Sequence, residues 1–336
     1  MTSNPSVLLT GATGSLGASL LEQLLAANYK VYTVLRSAKK SQQFLEKNYP
    51  QHIKNNTLEF IEIPDMTVAG SFDEGASKAT YIIHVATPLA FSNFQDEMIT
   101  PASIVDHNIL TAAHKSTTVE RVVITGSVVS VMHTSRDLMA GKTFTEEDFN
   151  PIPLEDALQS VTGAYSYSKV TSEKLAWEFM KNEKPNFDLV VLLAPLITGR
   201  CIQEGFVPDK KSFGGMGAIY ALFDNEELGF IYPWTMDVDD VAAVHVKSLK
   251  ESTPGNQRYV FHIGEPLTAA AVAQKIREEY PQLRDRVPAP KPGSDVVPDS
   301  LSRFDTSKSD AVFGTEWKDW WESAKATVDD ILKYEK

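Results

Sequence analysis

Tyr165-Ser166-Tyr167-Ser168-Lys169 is the segment of this chain with the clearest capacity for chemistry. In a helix, positions four apart share a face, so Tyr165 and Lys169 would stand one turn from each other. A free phenol loses its proton near pH ~10, and a fixed ammonium beside it favours proton exchange closer to neutrality. The apolar run that ends Thr125-Gly126-Ser127 would bring Ser127 to the carboxyl edge of a parallel sheet, where open α/β sheets place their ligands. Its hydroxyl could donate to a carbonyl oxygen and share the developing charge with Tyr165. Ser130 is the rival for that role, and Ser127 is preferred because it sits nearer the strand end.

The N-terminal run Thr10-Gly11-Ala12-Thr13-Gly14-Ser15-Leu16-Gly17 lies between the first strand pattern and the first helical one. There Gly11 would permit a tight turn, Gly14 would let the backbone approach a pyrophosphate, and Gly17 would allow close helix packing. Thr13, Ser15 and Leu16 complete this loop, whose helix N-terminus would offer unpaired N–H groups to the phosphates. The spacing is GxxGxxG, one residue off the GxGxxG fingerprint. A carboxylate at the end of the second strand would accept a ribose 2′-OH, but the chain there reads Arg36-Ser37-Ala38-Lys39-Lys40, with no acid before Glu46. Arg36 could stack on adenine and pair with a 2′-phosphate, with Ser37 or Lys40 assisting, so NADPH is expected over NADH. Asp65-Met66 follows the third strand, where a carboxylate could take the adenine amino group.

The elements that must position these groups follow from periodicity. Short β-branched runs at 6–10, 30–35, 58–63, 81–85, 121–125 and 188–193 read as strands, several almost wholly apolar, as strands buried on both faces are. Leu16, Leu20, Leu21, Leu24 and Leu25 form one helical stripe between the first two. The βαβα order predicts a doubly wound, Rossmann-type α/β sheet. After residue 197 the alternation breaks, with a helix expected at 237–249, a strand at 258–264, a proline-dense non-helical crossing at 281–298, and helices at 307–313 and 316–334. The expected division is a dinucleotide-binding domain, 1–196 with a contribution from 232–264, and a smaller discontinuous α/β substrate lobe, 197–231 with 265–336. Trp317, Trp320, Trp321, Ala324, Val328 and Ile331 have the spacing of a docking face and read as core.

Loops over the carboxyl edge carry Phe91 and Phe94, then Val128 after Ser127, then Phe206, Met216, Tyr220 and Trp234. Apolar walls around a few polar groups suit a small uncharged ligand. A phosphate, CoA or sugar nucleotide would call for more cations than Arg200, Lys210 and Lys211. The balance of 32 Lys+Arg against 44 Asp+Glu, net −12, repels nucleic acid and anionic membrane. A single cysteine, Cys201, excludes an internal disulfide, and the 7 histidines lack metal-ligand spacing such as HExxH, so no metal is expected. No apolar run approaches the ~18 residues of a membrane helix, and Met1–Pro5 leaves no room for a signal peptide, so a cytoplasmic monomer or homodimer is expected. The Asn55-Asn56-Thr57 sequon means nothing without a secretory route.

These motifs together resemble the extended short-chain dehydrogenases/reductases, and within them the fungal NADPH-dependent aldehyde and ketone reductases of methylglyoxal type, near relatives of plant dihydroflavonol and cinnamoyl-CoA reductases. The residues that carry the likeness span nearly the whole chain. They are TGATGSLG from Thr10, Arg36, His84-Val85-Ala86-Thr87-Pro88, Ser127, Tyr165 with Lys169, Pro195 with Gly199, Asp237-Val238-Asp239-Asp240-Val241-Ala242, and Phe304-Asp305-Thr306-Ser307-Lys308. The resemblance implies that Ala86, Thr87 and Pro88 line the cofactor, that Lys169 also holds the nicotinamide ribose, and that Pro195, Leu196 and Thr198 cover the carboxamide. It implies a Ser-Tyr-Lys mechanism in which hydride passes to a carbonyl carbon and Tyr165 delivers the proton. Gly126 departs from the usual serine of a TSS run, and Ser103 stands where an asparagine is common, which puts an asparagine proton relay in doubt; Asn108 is not a substitute. Two other functions share the fold: an NAD-dependent nucleotide-sugar epimerase or dehydratase, against which the missing acid after the second strand argues, and a non-catalytic NADP-sensing regulator, which would need no Ser127, Tyr165 and Lys169.

Overall fold

A computed structural model describes residues 4–335; Met1–Ser3, the greater part of the N-terminal stretch discussed above, lie outside it. Seven parallel strands build the central sheet: β1 Ser6–Thr10, β2 Lys30–Leu35, β3 Leu58–Glu62, β4 Tyr81–His84, β5 Arg121–Ser127, β6 Asp188–Ala194 and β7 Gln257–Val260. Their spatial order is β7-β6-β5-β4-β1-β2-β3. The chain therefore reverses direction across the sheet between β1 and β4, which opens a crevice at their carboxyl ends.

Alternate residues of these strands feed two cores. Val7, Leu9, Ile83, Val123, Val190 and Leu192 face helices α1 (Ser15–Ala26) and α6 (Val238–Ser248), where the α1 leucine stripe is buried as its spacing requires. Leu8, Ile82, Val122, Ile124, Leu189 and Val191 face α3 (Thr100–Lys115) and α4 (Val161–Glu183). Each fully buried Leu, Ile or Val contributes about 1.5–3 kcal/mol, which makes this double-faced sheet the rigid platform of the site. Helix α2 (Ala38–Asn48) covers the β2 end.

A third core joins α5 (Gly215–Tyr220), α7 (Ala269–Glu279) and α9 (Trp320–Tyr334) through Ile219, Phe223, Ile231, Val272, Ile276, Trp321, Val328 and Ile331. The segment 265–336 does not stay with it throughout. Leu301 and Phe304 return to one face of the central sheet, and Phe313, in α8 (Ser307–Phe313), to the other. Two elements are shorter than expected by several residues: the last central strand stops at Val260, and α9 begins at Trp320, capped by the Asp319 carboxylate. Two short parallel pairs were not expected, Leu196–Thr198 with Thr235–Asp237 and Thr143–Phe144 with Arg303–Phe304. The Pro281–Leu283 turn is the one helical piece of the proline-dense crossing. No described helix is long and apolar enough to cross a membrane.

Candidate active site

The glycine loop takes its shape from backbone constraints. Gly11 has φ +76°, a left-handed conformation that a side chain resists, and a Cβ there would press on the Ala86 amide at 2.9 Å. Gly17 packs so closely that a Cβ would lie 1.9 Å from the Gly11 carbonyl oxygen. Gly14 is different, since its nearest neighbour would be an ordinary 3.4 Å away. It is the N-cap of α1 and has no side-chain cap, so the helix N-terminus stays open to an anion. These residues fit a dinucleotide pyrophosphate. Arg36 and Lys40 are exposed beyond the end of β2 and form no ion pair among the described residues. Thr67 donates to Asp65 Oδ1 through its hydroxyl (2.6 Å) and amide (2.8 Å), which holds the Asp65 carboxyl below its ordinary range. Met66 is half-buried against the sheet core, and its carbonyl accepts from Asn108 at 3.1 Å. Asn108 is thereby committed to the loop after β3.

Behind the loop lies a polar chain that sequence reasoning did not assign. The Thr10 hydroxyl accepts from the amides of Val85 (3.1 Å) and Ala86 (3.2 Å) and lies 2.7 Å from His84 Nδ1. His84 Nε2 faces Asp106 at 3.2 Å. Nε2 thus donates to the Asp106 carboxylate, and Nδ1 pairs with the Thr10 hydroxyl. The turn that presents Ala86, Thr87 and Pro88 is thus fastened to β1.

Ser160 caps α4 by accepting from the Gly163 amide at 3.0 Å, and buried Ser168 and Ser172 keep the face toward the sheet small. Lys169 extends from that helix to donate to the Thr125 carbonyl (2.9 Å) and the Thr87 hydroxyl (3.0 Å), with its Nζ 5.8 Å from the centre of the Tyr165 ring. Thr125 is itself pinned, because its hydroxyl lies 2.8 Å from His245 Nε2 while His245 Nδ1 donates to the Val241 carbonyl at 2.8 Å. Burial pushes the His245 imidazole down to about 4, so it is neutral. His245 falls on the buried face of α6, where spacing alone reads it as core.

Ser127 and Tyr165 line one cavity of about 810 Å³, together with Ser15 and Leu16 at the glycine loop and Pro195, Leu196 and Thr198 after β6. Ser130 does not. Its buried hydroxyl lies 2.8 Å from the Ser127 carbonyl and 3.0 Å from Glu173 Oε2. Tyr165 and Tyr167 both pack against a small cluster of Ala90, Met98 and Ile99, but only Tyr165 lines the cavity. Gly126 has a local reason: a Cβ would meet Leu193 at 2.9 Å and Val191 at 3.0 Å.

The apolar wall is only partly the expected one. Phe91, Val128 and Met216 line the cavity. Phe94 joins the Met98 cluster, Phe206 lies edge-on to Tyr334, and the Tyr220 hydroxyl is 3.1 Å from Glu335. Trp234 is a core residue, 2% exposed, with its indole N–H on the Ser302 carbonyl. Their places are taken by Phe213, whose ring centre is 4.9 Å from that of Tyr165, and by Val161, Ile197, Phe230 and Tyr232. Loop aromatics leave no periodic signature, which is why spacing could not select among them. Lys210 reaches the edge of the cavity but spends its charge on Asp224 at 2.9 Å. Burial pushes the Cys201 thiol up to about 12, which leaves it unreactive.

A strap follows β6. Arg200 pairs with Glu22 and Asp239, the Glu204 amide donates to the Thr13 carbonyl at 3.2 Å, and Ser41 donates to Glu204 at 2.7 Å, so the strap ties the glycine loop to α2. Burial raises the Asp239 carboxyl, but hydrogen bonds from Arg200, Ser19 and Lys318 outweigh it and hold it at about 2. The acidic motif before and within α6 is therefore structural.

Residues 7–264 match the NAD dependent epimerase/dehydratase family. An oxidoreductase of Schizosaccharomyces pombe is 32% identical over 84% of this chain and 85% of its own length. The NADPH-dependent methylglyoxal reductase of Saccharomyces cerevisiae is 27% identical over 98% of this chain and 99% of its own. The crystal structure of yeast methylglyoxal/isovaleraldehyde reductase with NADPH superposes with a TM-score of 0.88 at 26% identity, covering 98% of both chains.

Proposed function

The chain belongs to the NAD dependent epimerase/dehydratase family, and from that premise we propose that it is an NADPH-dependent reductase that converts aldehydes and ketones to alcohols. One observation carries the reading: a single cavity runs from the open N-terminus of α1 to Ser127 and Tyr165, with Lys169 fixed behind. NADPH, when bound, supplies the hydride. Gly11, Thr13, Gly14, Ser15, Leu16 and Gly17 hold its pyrophosphate, Arg36 and Lys40 its 2′-phosphate, and Asp65 and Met66 its adenine. Ala86, Thr87 and Pro88 would line the cofactor, and Pro195, Leu196 and Thr198 would cover its carboxamide. Ser127 and Tyr165 donate hydrogen bonds to the carbonyl oxygen, and Tyr165 transfers its proton as the alcohol forms. Lys169, anchored by the Thr125 carbonyl, keeps a positive charge beside the phenol.

The substrate is a small uncharged carbonyl compound, because the walls are mainly apolar and Lys210 is neutralised by Asp224, which leaves Lys211 as the one lining lysine without an ion pair among the described residues. The division into a cofactor domain and a substrate lobe is supported by the separate third core, from which Leu301, Phe304 and Phe313 depart to pack on the sheet, and the protein acts as a cytoplasmic monomer or homodimer. Neither nucleic acid nor membrane is a partner. The test follows the near-ultraviolet absorbance of NADPH and NADH with aldehydes and ketones, and separates the products formed from nucleotide sugars by chromatography. Carbonyl-dependent loss of NADPH absorbance, faster than with NADH, is expected. Turnover of a nucleotide sugar without net cofactor oxidation would replace the reading with epimerisation.

A further inference from the structure

Ser130, Asn150, Glu173 and Arg258 are buried together behind the turn that carries Ser127, and none of them lines the cavity. The Ser127 hydroxyl accepts from the Val129 amide at 3.4 Å, as the N-cap of the turn Val128–Ser130, and its own proton is left for the cavity. That turn is held from its far side. The Asn150 side chain donates to the carbonyls of Val129 (2.8 Å) and Met132 (3.2 Å), and its amide donates to the Ser130 carbonyl at 2.8 Å. The Ser130 hydroxyl has one proton and faces two acceptors, the Ser127 carbonyl and Glu173 Oε2. Glu173 stands on α4 one turn beyond Lys169 and two beyond Tyr165, on the same face. It pairs with Arg258 at 2.5 Å, and Arg258 donates in turn to the carbonyls of Glu146 and Asp148. A buried ion pair is weak evidence of stabilisation, because desolvating both charges offsets much of their attraction. What this pair does supply is a fixed acceptor that ties the helix of Tyr165 to the turn of Ser127 through one hydroxyl.

We propose that Ser130, held by Glu173, is a positioning residue: it sets the Ser127 hydroxyl against the Tyr165 phenol so that both reach the same carbonyl oxygen. The inference rests on the reductase reading above and extends it to two residues that touch neither substrate nor cofactor. Without the Ser130 hydroxyl, the turn keeps its bonds from Asn150 but loses its tie to α4. The helix itself stays in place through the bond from Lys169 to the Thr125 carbonyl, so Ser127 is the donor that shifts. A displacement of about 1 Å can cost on the order of a hundredfold in rate, and a shift of a few tenths of an ångström corresponds to about three- to tenfold.

The experiment measures kcat with a saturating aldehyde, and the NADPH dissociation constant by fluorescence, in wild type, Ser130→Ala, Ser127→Ala and the double variant. Ser130→Ala should lower kcat about three- to tenfold and leave the dissociation constant within about twofold. Ser127→Ala should lower kcat by about a hundredfold, the worth of one oxyanion donor. In that background Ser130→Ala should change kcat by less than about twofold, because no hydroxyl remains to be positioned. Losses that multiply in the double variant would overturn the positioning role, since a general loosening of the site adds to any other defect. An unchanged kcat in Ser130→Ala, or a dissociation constant that rises as kcat falls, would overturn it too. Glu173→Gln, which keeps the side chain's shape, gives the same comparison if Ser130→Ala does not fold: its kcat loss should vanish in the Ser127→Ala background, and a loss that persists there counts against the proposal. If Ser127→Ala kept wild-type turnover, the Ser-Tyr-Lys reading would fail and the positioning role with it, an outcome distinct from multiplying losses.

Discussion

The two ends of the cavity are built differently. At the cofactor end, Gly11 and Gly17 have no room for a side chain, and Thr10, His84, Asp106, Thr125 and His245 bond to one another or to backbone with directions fixed by their partners. At the substrate end, Phe91 is 63% exposed, Phe230 67% and Phe213 37%, and the enclosed hydroxyls of Thr134 and Tyr232 have no partner. A site that must hold one invariant ligand is determined by the chain's own bonds, whereas a site that selects among ligands leaves groups uncommitted.

That contrast can be broken by substitutions of similar size at the two ends. Gly17→Ala forces a Cβ to within 1.9 Å of the Gly11 carbonyl oxygen, and backbone on both sides cannot yield cheaply. A loss of several kcal/mol is expected, seen as a large drop in melting temperature and loss of NADPH binding by fluorescence. Phe213→Ala should leave the melting temperature within a degree or two. Comparable drops for both would erase the distinction.

The buried histidines give the next largest effect. His245 has its affinity for protons pushed down to about 4 by burial, so the unfolded chain takes up a proton before the folded one does. Its contribution is complete above pH ~6.5 and is lost as pH falls toward 4, on the order of 3 kcal/mol in all. His262, lowered mainly by burial, acts in the same direction. Urea denaturation between pH 7 and 4 should show this slope, and His245→Gln should flatten part of it. An unchanged slope in the variant would remove His245 from the explanation.

A smaller effect is expected at the rim of the cofactor end. Arg36→Asp should raise KM for NADPH by about tenfold or more, the worth of one charge-assisted bond, with little change for NADH. Equal use of both cofactors by wild type would contradict the role given to Arg36. The smallest effect belongs to the aromatic mouth. Catalytic efficiency should climb at least about tenfold from acetaldehyde to branched aliphatic or aryl carbonyls, since each ring face or methylene excluded from water is worth about 1–3 kcal/mol. Phe213→Ala or Phe230→Ala should compress that ranking without abolishing turnover, and a flat wild-type profile would refute the apolar wall.

The same contrast explains what could be read from residue order. Strands β1 to β6, the leucine face of α1 and the glycine loop were legible because period, burial and turn chemistry agree locally. The Tyr165 and Lys169 pairing was legible for the same reason, both lying on one helix. His245 was not, because its partner Thr125 is 120 residues away and its own helix shows only an apolar stripe. Trp234 and Phe94 were misplaced, since an aromatic in a loop looks the same whether it faces a cavity or a core. The strap held by Glu204 depends on bonds to Thr13 and Ser41 that only the tertiary fold creates.

The central claim is that Tyr165 is the proton donor of a carbonyl reduction whose cofactor site is independent of it. Tyr165→Phe removes only the hydroxyl from the cavity wall, so one experiment is decisive: kcat with a saturating aldehyde, set beside the NADPH dissociation constant from fluorescence titration of the same preparation. The expected result is a fall in kcat of about a hundredfold or more with an unchanged dissociation constant. A variant that retained turnover within a fewfold of wild type would contradict the account.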